Sequence, residues 1–253
     1  MLALTRARLQ QLRNLQHQRG RVEQGHYLIE GHRLVEEALG AGVVSELFAT
    51  EAATAVAAAL IASAATTVTP ITPVQAEQLS GTPSPQGIFA LVPLPSTDPP
   101  KNAKGPVLIL DGVSDPGNVG TLLRSASWFG VRAVWSTPET ASFYNPKVVR
   151  AGMGAHFRLE TLWQGDTEAV ARAAQGLALF AATTSANASA AAPLADSENW
   201  ALVVGSEAKG VSPVFVEQCE REVTIRRQGK GESLNAAVAG SIILYLFTGG
   251  AQR

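Results

Sequence analysis

A single cysteine, Cys219, is all the sulfur chemistry that 253 residues offer beyond methionine. One thiol excludes an internal disulfide and any cysteine-based zinc cluster, and no metal is expected. Charged residues are sparse, at 16%, and almost balanced, so the formal net charge is −1. That balance excludes a uniformly basic coat of the kind that wraps nucleic acid. No apolar run reaches the roughly 18 residues that a membrane span requires. The N-terminus has no continuous apolar segment behind its basic residues, so no secretory signal is expected. Its arginines and scarcity of acid would also suit a mitochondrial transit peptide. It is short of serine, however, and runs straight into sequence that reads as folded. The cytoplasm is the expected compartment, with no membrane partner.

Hydrophobic residues make up 46% of the chain, enough for a sizeable core. The few charges are unevenly placed. Before Leu34 stand Arg6, Arg8, Arg13, Arg19, Arg21 and Arg33, against only Glu23 and Glu30. A local basic patch can bind phosphate while the whole protein stays near neutral. The alternative is an ordinary solvated helix face.

Hydrophobic spacing divides the chain in two. Leu4, Leu9, Leu12 and Leu15 predict an amphipathic helix over 4–16. Strands are predicted at 27–29, 47–49, 68–71 and 88–92. Helices are predicted at 31–39 and 51–65. Residues 1–95 therefore read as a small α/β domain. Pro93, Pro95, Pro99, Pro100 and Pro106 mark an extended linker, placed at 96–106. A second domain, 107–253, opens with the apolar run Val107-Leu108-Ile109-Leu110, typical of a buried parallel strand. Further strands are expected at 133–135, 177–181, 201–204 and 223–225, separated by helical stretches. That alternation predicts an α/β fold with a doubly wound parallel sheet. The Ala/Ser/Thr stretch 181–195 reads as a loop.

Three segments of the second domain put glycine and polar residues after a strand-like run: 110–124 (LDGVSDPGNVGTLLR), 202–211 (LVVGSEAKGV) and 225–239 (IRRQGKGESLNAAVA). In the first, a strand, a turn and a helix starting near Asn118 make an arrangement suited to an anion or nucleotide. Gly112, Gly117 and Gly120 do not fit the dinucleotide fingerprint. Gly205 to Gly210 has P-loop spacing, but Lys209 precedes the second glycine and Val211 follows it. Both familiar nucleotide motifs therefore fail on residue identity. On a helix, Asn118 and Arg124 lie about 240° apart and point in different directions. Ser233 reads as the N-cap of a strongly apolar helix, 236–247. Val238, Ile242, Ile243, Leu244, Leu246 and Phe247 give that helix more apolar surface than one buried face needs, which predicts an interface.

Taken in this order, the three segments resemble the signature of the SpoU (TrmH) branch of the SPOUT methyltransferases. The resemblance covers about residues 107 to 247 and implies a SPOUT-type parallel sheet with a C-terminal trefoil knot. It implies methyl transfer from S-adenosylmethionine to a ribose 2′-hydroxyl of RNA, with 23S ribosomal RNA as the expected substrate. Asn118, Gly120 and Arg124 match the first motif, N-x-G-x-x-x-R. Glu207 falls in the second, G-x-E-x-x-G, and Ser233-Leu234-Asn235 in the third. The catalytic set so implied is Arg124, Asn118, Glu207, Ser233 and Asn235. Backbone near Gly205, Ile225 and Leu234 would hold the cofactor. Relatives usually carry Pro-Met after the residue matching Ile225, where this chain has Arg226-Arg227.

The first half, through Arg13-Asn14, Gly25 to Arg33 and Pro85 to Ala90, resembles the small RNA-binding domain that precedes the methyltransferase domain in many such enzymes. Asn145 to Phe157 (NPKVVRAGMGAHF) resembles a family segment between the first two motifs. Arg13, Arg33, Lys147 and Arg150 are accordingly the candidate RNA contacts. The family resemblance also implies a homodimer in which the first-motif Arg reaches the partner's cofactor. Alternatives are a tRNA or antibiotic-resistance ribosomal RNA methyltransferase. An RNA-binding or assembly factor without catalysis is the alternative of another class.

Overall fold

The computed structural model describes residues 4–63, 67–101, 103–194, 199–230 and 233–249. The chain divides into two compact units, 1–96 with 144–157, and 97–143 with 158–253. No helix among the described residues is long and apolar enough to cross a membrane.

The first unit runs α1 (Arg6–Asn14), α2 (Gln18–Gln24), β1 (His26–Glu30), α3 (His32–Gly40), β2 (Glu46–Ala49), α4 (Glu51–Val56), α5 (Ala58–Ser63), β3 (Val68–Pro70), α6 (Pro73–Leu79) and β4 (Ile88–Pro93). Its sheet has the order β1-β4-β2-β3. Both faces are covered, so alternate residues feed two cores. Tyr27, Ile29, Leu47, Ala49, Ile88 and Ala90 pack with Leu34, Val35 and Ala38 of α3. Leu28, Phe48, Phe89 and Leu91 pack with Leu12 and Leu15 on the other face, beside Ala76 and Leu79 of α6. The expected helix over 51–65 is two helices, broken at Ala57; residues 64–66 lie outside the described residues.

The second unit holds β5 (Val107–Asp111), α7 (Pro116–Trp128), β6 (Ala133–Ser136), β7 (Thr161–Gln164), α9 (Thr167–Ala173), β8 (Ala178–Ala182), β9 (Ser189–Ala190), β10 (Trp200–Gly205), α10 (Pro213–Gln218), β11 (Arg221–Thr224) and α11 (Ala236–Phe247). Its seven strands take the order β7-β6-β5-β10-β8-β11-β9, and every pairing is parallel. The stretch 181–195, expected as a loop, contributes the edge strand β9, because Ser189 and Ala190 pair with Val223 and Thr224. Val107, Ile109, Val203 and Ala201 face Phe215 of α10 and Val170 of α9. On the opposite face α11 lies against α7. A Cβ at Gly240 would sit 2.7 Å from Leu122 Cδ2 and 3.2 Å from Val204 Cγ2, so glycine lets the three elements approach without displacing those side chains.

Two expectations need correction. Residues 144–157 were assigned to the second domain, but they fold into the first unit. Here α8 (Pro146–Gly152) buries Val149 in the core beside Tyr27 and Ile29, and the Tyr144 ring lies 4.9 Å from that of Tyr27. Burial raises both phenol pKa values above the ordinary tyrosine range. The proline-rich stretch is not a free linker either. Trp163 Nε1 donates to Thr97 O at 3.1 Å, and Gly105 N donates to Asn199 Oδ1 at 2.9 Å, anchoring it on the second unit.

Candidate active site

The carboxyl ends of β5 and β10 lie side by side, with Gly205 opposite Asp111. From β5 the chain crosses to α7 on one face of the sheet, and from β10 it crosses to α10 on the other. Such a switch point opens a crevice at the strand ends, where α/β proteins bind ligands. Asp111, at the floor, is 4% exposed. Its Oδ1 accepts from Thr137 Oγ1 at 2.8 Å and its Oδ2 from Ser212 N at 2.6 Å. One buried carboxylate thus ties the turn after β6 to the loop after β10. Sequence reasoning passed over Asp111, although a lone acid at the end of a continuous apolar strand was the available signal.

Three predicted residues converge above this floor. Asn118 lies in the first turn of α7, where Asp115 caps the helix by accepting from Asn118 N at 2.8 Å. Asn118 Nδ2 donates to Glu207 Oε1 at 2.5 Å. Asn118 Oδ1 accepts from Asn235 Nδ2 at 3.0 Å. Asn235 Oδ1 in turn accepts from Ala237 N at 2.9 Å and Val238 N at 3.2 Å. A continuous chain therefore runs from Glu207 through two carboxamides into the start of α11. Ser233 was expected to cap that helix; it is exposed, two residues short of the cap, which is Asn235. A carboxamide two residues from the first free N–H reaches it, whereas the hydroxyl of Ser233 stands a further two residues back.

The loop carrying Glu207 is itself tightly shaped. Ser206 and Gly210 form a bridge, and Lys209 N donates to Ser206 Oγ at 3.1 Å. A Cβ on Gly205 would fall 2.1 Å from Gly210 C and O, so backbone occupies that space. Lys209 Nζ binds Glu139 Oε2 at 2.7 Å, and this contact raises the Lys209 pKa above its ordinary value. Glu139 has φ +68°, a conformation that L-residues seldom take.

The other predicted residues stand apart from this centre. Arg124 is exposed on α7, on a different side from Asn118. Ile225 is half-buried just past β11 and Leu234 is exposed just before Asn235. Of the candidate RNA contacts, Arg13 and Arg33 are exposed on the first unit. Lys147 is exposed at the start of α8, and Arg150 is half-buried, close to Gly81 and Gln16. The basic stretch before Leu34 is smaller than its sequence implies. Arg21 is buried, donating from Nη1 to Leu15 O at 3.0 Å and Gln16 O at 3.1 Å. Arg8 pairs with Glu46, and Arg19 pairs with Glu23 at 2.7 Å.

Comparison with known proteins matches residues 105–245 to the SpoU rRNA Methylase family. The chain belongs to that family. Residues 6–90 match the MRM3-like substrate binding domain. A similar curated protein is the 23S rRNA (guanosine(2553)-2′-O)-methyltransferase RlmP of Bacillus subtilis, 32% identical over 231 residues, spanning 90% of this chain and 91% of that one. Among solved structures, an RNA methyltransferase of the TrmH family from Porphyromonas gingivalis superposes with a TM-score of 0.84 at 31% identity, covering 97% of this chain and 98% of that one. The SpoU methyltransferase AviRb from Streptomyces viridochromogenes, in complex with AdoMet, also gives 0.84, at 25% identity over 98% of each chain.

As a SpoU methylase the chain is an RNA methyltransferase that uses S-adenosylmethionine. The crevice suits that cofactor. Glycines at 112 and 210 leave backbone open to a ligand at the strand ends, and Gly205 lets the 206–210 loop close against β10. The polar side chains at hand are one carboxylate and two carboxamides, acceptors matched to ribose hydroxyls, an amino group and a sulfonium cation.

Proposed function

We propose that this protein methylates a ribose 2′-hydroxyl of 23S ribosomal RNA in the cytoplasm, acting as a homodimer whose knotted second unit carries the chemistry. The observation that carries this reading is the chain Glu207–Asn118–Asn235, which joins all three sequence motifs through side-chain hydrogen bonds. S-adenosylmethionine, when bound, supplies an electrophilic methyl group on a sulfonium. The protein must hold the ribose oxygen in line with that methyl, and fixed geometry is the larger part of such catalysis.

Asn118 and Asn235 lock each other, so neither carboxamide turns freely. Glu207 spends one oxygen on Asn118 and keeps the other for a ribose or loop donor. Ser233, two residues before Asn235, contacts the ribose. Arg124 binds phosphate and stabilises negative charge as it develops on the 2′-oxygen. The first unit binds RNA through exposed Arg13 and Arg33, with Lys147 and Arg150 added by α8.

The homodimer rests on an uncovered apolar surface. Val238, Ile242 and Tyr245 of α11 are 47%, 36% and 42% exposed, and Trp128 of the adjacent α7 is 84% exposed. A second copy covering this stripe would stand next to Arg124, four residues before Trp128. The test is complementation. Arg124→Ala and Asn235→Ala should each lose most methyl transfer to 23S ribosomal RNA, and mixing the two should restore part of it. A monomer at micromolar concentration, or no recovery on mixing, overturns the dimer. Absence of 2′-O-methylation by the wild-type protein on any ribosomal RNA overturns the function.

A further inference from the structure

We propose that Thr137 is a positioning residue for methyl transfer: acting through Asp111, it fixes the 206–212 loop and with it Glu207; this rests on the role given to Glu207 above. Thr137 lies in the turn after β6, outside the three motifs, and is 1% exposed. Its hydroxyl works in both directions. Oγ1 accepts from Gly112 N at 3.1 Å, just past β5, and donates to Asp111 Oδ1 at 2.8 Å. Thr140 repeats the first grip, its Oγ1 accepting from Gly112 N at 3.0 Å and donating to Leu110 O at 3.0 Å. The backbone of the turn is tied to β7, where Gln164 Nε2 donates to Thr137 O at 3.3 Å and to Thr140 O at 3.4 Å. The turn is thus anchored on both β5 and β7.

From this anchor the hold reaches the Glu207 loop by a buried route and an exposed one. In the buried route Asp111 takes Thr137 on one oxygen and Ser212 N, at 2.6 Å, on the other. The exposed route is the pair of Lys209 Nζ with Glu139 Oε2, whose side chains are 73% and 66% exposed. An ion pair in water is screened by solvent and salt and contributes little. An enclosed carboxylate depends on its donors, and the loss of one is felt in full. The buried route therefore decides where the loop sits. At the start of the loop the backbone has little room to shift, because Gly210 fills the space beside Gly205. Glu207, between these two anchored points, meets Asn118 Nδ2. A hydroxyl in the turn after β6 thereby sets the frame in which the second motif meets the first.

The test is Thr137→Val, which removes the hydroxyl at little change of shape, beside Thr137→Ser, which keeps it, both in the full-length protein. Glu207→Gln and the double variant Thr137→Val/Glu207→Gln complete the set. Melting temperature, S-adenosylmethionine Kd by calorimetry, and kcat on transcribed 23S ribosomal RNA at saturating cofactor are measured where every variant is folded. Thr137→Val should lower kcat about tenfold, the effect of a shift smaller than the 1 Å that costs about 100-fold, and weaken cofactor Kd about threefold. Thr137→Ser should stay within about twofold of wild type in both. In the Glu207→Gln background, Thr137→Val should cost less than about twofold in kcat, because a residue that acts through Glu207 has nothing left to place. An equal loss in the two backgrounds overturns the proposal. So does a Thr137→Val protein that melts lower yet keeps wild-type kcat and Kd, and so does a Thr137→Ser protein as impaired as Thr137→Val. Glu139→Gln should lower kcat less than about threefold; a loss exceeding that of Thr137→Val would give the hold to the exposed pair instead. If Glu207→Gln keeps wild-type kcat, or the wild-type protein transfers no methyl, the role given to Glu207 fails, and cofactor Kd in the Val and Ser variants still decides whether Thr137 fixes the loop.

Discussion

Asn235 does two separable things, and substitution can pull them apart. Its Oδ1 caps α11 and its Nδ2 holds Asn118. Asn235→Ala removes both. Loss of the cap costs about 1 kcal/mol, within a range of about 0.5–2, and loss of the carboxamide pair about 1 kcal/mol more. At about 2–4 °C per kcal/mol for a chain of this size, the melting temperature should fall by about 4–8 °C. Asn235→Asp keeps an oxygen over Ala237 N and Val238 N, and a carboxylate at a helix N-terminus is favourable by about 0.3–1 kcal/mol. Its second oxygen, however, faces Asn118 Oδ1, where the Nδ2 donor used to be. Stability should therefore stay within about 1 kcal/mol of wild type, while Asn118 and Glu207 lose their fixed placement. A misplacement of about 1 Å costs about 100-fold in turnover. Thermal melting and transfer of labelled methyl to 23S ribosomal RNA, run on both variants, read the two effects separately. If the Asp variant turns over like wild type, the amide chain has no part in catalysis. If its loss of activity only follows its loss of stability, Asn235 is a helix cap and nothing more.

Gly205→Ala should collapse cofactor affinity in calorimetry while circular dichroism stays near wild type, because the new Cβ falls 2.1 Å from the Gly210 carbonyl and the 206–210 loop must move. Deleting residues 1–95 should give a fragment that binds hydrophobic dye and aggregates, since it exposes the face that α8 buries with Val149. Replacing 144–157 by a short Gly/Ser link in that fragment should restore a clean, cooperative melt. Arg21→Gln should destabilise by about 1–3 kcal/mol, because the Leu15 and Gln16 carbonyls lose their buried donor. In the same variant the salt slope of RNA binding should match wild type, whereas Arg13→Gln should lower it.

Strands buried on both faces were easy to read. The runs at 107–110 and 201–204 appear as β5 and β10 within a residue of their expected ends, because continuous burial demands continuous apolar sequence. The helices α2 and α6 were missed: Gln18–Gln24 buries little beyond Gly20 and Arg21, and the apolar stripe of Pro73–Leu79 is one turn long. Edge strand β9 is two residues of Ser and Ala, with no periodicity to detect. At the site, Asn118, Glu207 and Asn235 were legible because motif spacing is a property of sequence. Their mutual hydrogen bonds are not, since residues 89 and 117 positions apart meet only through the sheet order. Arg21 misled for the opposite reason. Composition counts charges, but it cannot distinguish a solvated guanidinium from one enclosed between helices. Burial pulls this one's pKa below the ordinary arginine value.

The excursion of residues 144–157 into the first unit bears on how such a protein can be inherited. A substrate-binding module attached only at its C-terminal end, near residue 96, could be exchanged between enzymes by a single recombination. Here the module's core includes Val149, encoded within the catalytic half. A crossover at the linker would hand each daughter a mismatched core, with a foreign β1 set against the resident α8. Exchange of specificity must therefore carry the two segments together or proceed by gradual change in place. A chimera built at residue 96 alone would inherit the motifs intact and still be selected against for its folding.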